Sequence, residues 1–286
     1  MKPEVAVATD SIASLPRELV EQYKIRIVPI GFYVGDKVYR DWEDVTPSQA
    51  YELFLKDPEL FKTSAPSPGE FVKAYRELSK EARNILCITL SSKLSTTYNT
   101  ACVAKEQTKP EIPQTSIKIL DSQTATAAQG FIALAAARVA AEGKGLTEVT
   151  KVAEEIRDKV TFVVLLDTIR YVYRTGRIPK VAAQVGSMFN IRPILTISSG
   201  LVRFAGAVRN KEHGINRLLR VMRNKVGLSP AHIAVMHVYA LDEAKKLRER
   251  ISSEFNCTEL WLTEFSPLMG YACGVGAVGF AFYKDD

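Results

Sequence analysis

The chain has 286 residues, 47% of them hydrophobic and 24% charged, with a formal net charge of +6. That balance belongs to a folded globular protein of one large or two smaller domains, and it excludes a disordered or fibrous chain. The one membrane-like stretch, residues 131–141, is too short to span a bilayer and carries Arg138.

Cys87, Cys102, Cys257 and Cys273 are far apart and form no C-x-x-C pair. With no leader-like N-terminus beside them, the expected setting is a reducing cytoplasm. The charge excess is local. Arg203, Arg209, Lys211, Arg217, Arg220, Arg223 and Lys225 stand against one acid in that segment, Glu212. No stacking aromatics interleave with them, so nucleic acid is not the expected partner.

In chain order, residues 4–9 read as a buried strand, 15–23 as a helix and 26–30 as a second strand. Residues 32–34 and 37–39 flank Gly35-Asp36 as a hairpin. Thr46-Pro47-Ser48-Gln49 and Ser67-Pro68-Gly69-Glu70 both fit a capping box with proline at the first helical position. Strands at 84–90 and 116–120 alternate with helices at 96–107, 129–142 and 146–158. This predicts a mostly parallel sheet with helices on both faces. From about residue 160 the rhythm changes: strands at 161–166, 196–198, 201–204, 232–237, 259–264 and 277–283, and helices at 179–189, 211–226 and 241–255. The reading is an α/β lobe over residues 1–160 and an α+β lobe with a mixed or antiparallel sheet over 161–286.

Ligands of open parallel sheets bind beyond the carboxyl ends of the strands. Those ends are rich in hydroxyls here: Thr9-Asp10-Ser11, Thr89-Leu90-Ser91-Ser92 and Asp121-Ser122, with Thr63-Ser64-Ala65-Pro66-Ser67 before a capped helix. A single such serine is more often a helix cap than a ligand group. Four clusters at one sheet edge weigh toward a site. His232 and His237 lie at odd spacing on one strand and so face opposite ways, which argues against a shared metal. Neither a G-x-S-x-G elbow nor a phosphate loop follows a strand. What remains is one anion held by hydroxyls and by backbone amides where Ser95 opens a helix.

Together these segments, with Ser91-Ser92-Lys93-Leu94-Ser95-Thr96-Thr97-Tyr98, Gly176-Arg177-Ile178 and Arg192-Pro193-Ile194-Leu195, resemble the DegV family over nearly the whole chain. The resemblance implies a non-enzymatic carrier of a long-chain fatty acid, with no cofactor. Thr63 and Ser95 would bind its carboxylate, and the acyl chain would enter the second lobe. Ser64, Ser92, Thr97, Asp10, Asp121 and Arg177 are expected around them in support. Some family members present the acid to a separate, ATP-using fatty acid kinase subunit. The basic segment between Arg203 and Lys225 could add transient contact with an anionic membrane. Two positions depart from the family pattern: Thr96 replaces a glycine, and Ala272 stands where a histidine is usual. The competing reading is a small-molecule transfer enzyme related to dihydroxyacetone kinase-like folds, with Asp10 or Asp121 holding a base or a metal. A regulatory interaction protein comes third.

Overall fold

The computed structural model describes residues 3–64, 66–176 and 191–285. Four apolar, largely β-branched segments form the first sheet: β1 (Val5–Asp10), β2 (Arg26–Val28), β6 (Asn84–Thr89) and β7 (Ser116–Asp121). They lie in the order β2-β1-β6-β7, all parallel. Both faces are covered, which is why the strands carry near-continuous hydrophobic runs. Helices α5 (Thr126–Ala141) and α6 (Leu146–Lys159) pack on Val5, Val7, Leu86 and Ile88. Helices α3 (Pro68–Glu81) and α4 (Thr97–Thr108) pack on Ala8, Ile85 and Cys87. A short helix, α1 (Arg17–Gln22), links β1 to β2.

A small antiparallel sheet sits beside it, in the order β4-β3-β5. The expected hairpin is present as β3 (Gly31–Val34) and β4 (Lys37–Arg40). The third strand, β5 (Phe61–Thr63), was not expected, because three residues between Pro58 and Pro66 show no readable period. Phe32 stacks on Phe61 at 4.9 Å, and Phe54 of α2 (Pro47–Lys56) meets Phe61 edge-on. The Thr46–Gln49 capping box forms as expected. At Ser67 the expectation fails: it occupies the N-cap position of α3, but its hydroxyl caps nothing.

The second large sheet has six strands, β10-β9-β8-β13-β11-β12. These are β8 (Thr161–Leu165), β9 (Arg192–Ser198), β10 (Leu201–Val208), β11 (Ala231–His237), β12 (Cys257–Glu264) and β13 (Val278–Lys284). Only β11 and β12 pair in parallel; the rest is antiparallel, so the sheet is mixed. Helices α8 (Lys211–Val226) and α9 (Leu241–Glu254) cover one face through Leu218, Leu219, Met222, Leu247 and Ile251. The other face packs on α5 through Ala127, Ala128 and Phe131. The alanine-rich α5 is thus buried between both large sheets.

Two short helices escaped the sequence reading, α7 (Arg170–Arg174) and α10 (Pro267–Cys273). The latter looks like a glycine-rich turn. Its Gly270 is required by packing, since a β-carbon there would collide with the ring of Tyr51. The Tyr51 hydroxyl donates to the carbonyls of Phe265, at 2.6 Å, and Ser266, at 3.2 Å. The helix expected at 179–189 lies outside the described residues. No helix among the described residues is long and apolar enough to cross a membrane.

Candidate functional site

A cavity of about 480 Å³ lies where the carboxyl ends of the parallel strands meet the six-stranded sheet. That volume is within the range of about 300–1,000 Å³ usual for small-molecule sites. Its body is aliphatic: Ile12, Ile30 and Leu90 follow the carboxyl ends of β1, β2 and β6, and Val164, Leu195 and Val202 come from the second sheet. Residues 268–273 of α10 close another side. One end is polar, formed by Thr63 at the end of β5, Ser64 after it and the loop from Ser92 to Thr96.

Of the hydroxyl-rich segments, the stretches 63–64 and 92–96 line this end. Thr63 reaches the cavity because β5 pairs with β3, placing it opposite Phe32. Its hydroxyl has no hydrogen-bond partner among the described residues, so it is available to a ligand. The Ser95 hydroxyl lies 2.8 Å from that of Thr97 and accepts the Thr97 backbone N–H at 3.3 Å. When Thr97 also donates to it, the Ser95 proton is left to point at an acceptor. Thr97 itself is buried and does not line the cavity. Ser64 lines it, but its hydroxyl donates to the Gly31 carbonyl at 3.3 Å.

The aspartates hold loops rather than face the cavity. Asp121 accepts from the Ser92 hydroxyl at 2.5 Å, the Ser92 N–H at 3.2 Å and the Gln123 N–H at 2.8 Å. Asp10 is completely buried and accepts from the N–H groups of Ile12 at 3.1 Å and Leu90 at 2.7 Å, tying the tip of β1 to that of β6. Burial lifts its pKa to about 6, against the pull of those N–H groups. Among the described residues, neither aspartate nor any other carboxylate lines the cavity. Ala272 does line it, whereas Arg177 lies outside the described residues.

Asp41 was not singled out in the sequence. It follows a charged hairpin and reads as a surface residue, yet it is buried between the small sheet and α10. It accepts from the Ser266 hydroxyl at 2.6 Å, and the Ser266 N–H donates to the Ser14 hydroxyl at 3.2 Å. Burial lifts its pKa to about 6 as well. His232 and His237 face opposite ways as expected. His232 lies 2.6 Å from Glu259, and the Ala240 N–H donates to His237 at 3.2 Å. No group of three or more potential metal ligands occurs among the described residues.

Known proteins share this architecture. A DegV domain-containing protein of Clostridium perfringens is 31% identical over 284 residues, covering 98% of this chain and 99% of the relative. The structure of a fatty-acid-binding DegV family protein from Thermus thermophilus matches with a TM-score of 0.89 at 28% identity, covering all of both chains. That of DegV from Bacillus subtilis, a fatty-acid-binding protein, also gives 0.89, at 29% identity and 99% coverage of each. The family model described as "Uncharacterised protein, DegV family" matches residues 4–285, and the chain therefore belongs to the DegV family.

Proposed function

We propose that the protein binds a long-chain fatty acid in this cavity, with the carboxylate on Thr63 and Ser95 and the acyl chain along the aliphatic walls. The observation that carries the reading is one cavity with a hydroxyl-lined end and an apolar body. The two DegV relatives that bind fatty acids share the fold over the full chain, which supports it. Physically, a sixteen-carbon acid has about fifteen carbons to remove from water, at about 0.8 kcal/mol each. That gain has to exceed the cost of immobilising a flexible chain and desolvating its head. The amino end of α4, which Ser95 precedes, adds a favourable electrostatic environment for an anion.

The polar end is also the more accessible one, since Ser92, Lys93, Thr96 and Asn99 are exposed. This arrangement suits presentation of the carboxylate to an ATP-using kinase subunit, which is part of the proposal. Two measurements test it. Lipid extracted from the purified protein should contain a free fatty acid by mass spectrometry. The double variant Thr63→Ala/Ser95→Ala should remain folded and lose about a hundredfold or more in affinity, at about 1.5–3 kcal/mol per charge-assisted bond. A folded double variant with unchanged affinity would remove the site assignment.

A further inference from the structure

We infer that Lys93 is a specificity-determining residue of the cavity, the fixed cation that makes it select ionised acids over uncharged lipids of the same length. The inference rests on the fatty-acid reading above and concerns the same site. Burial of an acyl chain is blind to the head group, because each methylene contributes alike whatever it is attached to. Hydroxyls favour an ionised acceptor but do not exclude a neutral one. Thr63 and Ser95 can donate to a carboxylate, an ester carbonyl or an alcohol oxygen. A full positive charge adds to that preference, and Lys93 is the one charged side chain lining the cavity among the described residues.

Its position is held rather than free. Lys93 Nζ donates to the Ser199 carbonyl at 2.9 Å, at the tip of the β9–β10 hairpin. One residue on, Gly200 has φ +80, and its carbonyl accepts from the Ser91 hydroxyl at 2.9 Å. A β-carbon at Gly200 would lie 2.7 Å from Ser91 Oγ and 3.3 Å from Lys93 Cδ. The bare glycine therefore lets the lysine stem lie flat across the junction of the two sheets. Lys93 lines the cavity two residues before Ser95. An ammonium group has three protons, and the Ser199 carbonyl takes one. The others remain for an anion at the accessible, polar end of the cavity.

The same bond to Ser199 could serve only to fasten the hairpin, so the test separates charge from fastening. Wild type, Lys93→Met, Lys93→Gln and Lys93→Arg are titrated with a sixteen-carbon fatty acid and with the alcohol of equal length, by displacement of a fluorescent lipid. Lys93→Met and Lys93→Gln should each lose about tenfold in affinity for the acid and less than twofold for the alcohol, while Lys93→Arg keeps the wild-type ratio. Glutamine retains a donor for Ser199, so an unchanged acid-to-alcohol ratio in Lys93→Gln would overturn the assignment of selectivity to the charge. So would an equal loss for both ligands in Lys93→Met. Wild type that binds neither ligand would overturn the fatty-acid reading itself, and this inference with it.

Discussion

Asp41 joins three parts of the molecule through one carboxylate: the end of β4, the Ser266 start of α10 and, through Ser266, the Ser14 hydroxyl after β1. Burial raises its pKa from 3.8 to about 6. A raised carboxylate pKa means that the fold favours the protonated form. The contribution of Asp41 to stability is therefore greatest below about pH 4, falls as pH rises toward 6 and levels off above that. Two pKa units correspond to about 3 kcal/mol. Asp41→Asn keeps an acceptor for Ser266 without the charge, so urea denaturation should show the variant gaining on wild type between about pH 4 and pH 6. Asp10, lifted to about 6 chiefly by its own burial, is common to both proteins. A constant offset between the two proteins across that window would contradict this account. Nothing in the order Arg40-Asp41-Trp42 separates this buried acid from the solvent-facing Glu43 and Asp44, because its burial comes from α10, more than 220 residues away in sequence. The hydroxyl residues were easier to find, since they sit at strand ends whose identity follows from the apolar runs before them.

At the scale of elements, long periodic segments were readable and short ones were not. Helix α8 and the buried strands β1, β6 and β11 follow directly from apolar spacing. Strand β5 and helix α10 owe their form to Phe32 and Tyr51, contacts that no local pattern encodes. The basic segment was readable as charge but not as a surface. Lys211 pairs with Glu243, Arg223 with Glu254, Arg217 donates to the Ala205 carbonyl and Lys225 to the Thr161 hydroxyl. Arg203, Arg209 and Arg220 are exposed, with no side-chain partner among the described residues, and Phe204 beside Arg203 is 47% exposed. If this edge meets anionic bilayers during lipid exchange, acyl transfer from anionic vesicles should slow with added salt. It should also slow severalfold at low salt in Arg203→Glu/Arg209→Glu/Arg220→Glu. Equal rates for variant and wild type would return the segment to an ordinary solvated face.

For the molecule as a whole, two sheets of different topology share one helix. Phe131 of α5 lies 4.9 Å from Trp261 and 5.2 Å from Tyr283, while Ile132 and Ala136 on the same helix pack into the first sheet. The helix belongs by sequence to the first half and by contact to both. A gene divided at residue 160 would therefore yield two pieces, each missing part of its own interior. The piece from 161 to 286 should expose Phe162, Ala234 and Tyr283 to water and behave as an aggregating, loosely packed species without a sharp melting transition. Co-expression with the piece from 1 to 160 should restore both the transition and lipid binding, as a split protein that reassembles only in company. A sharp, independent melt of the second piece alone would show instead that α5 is dispensable to it.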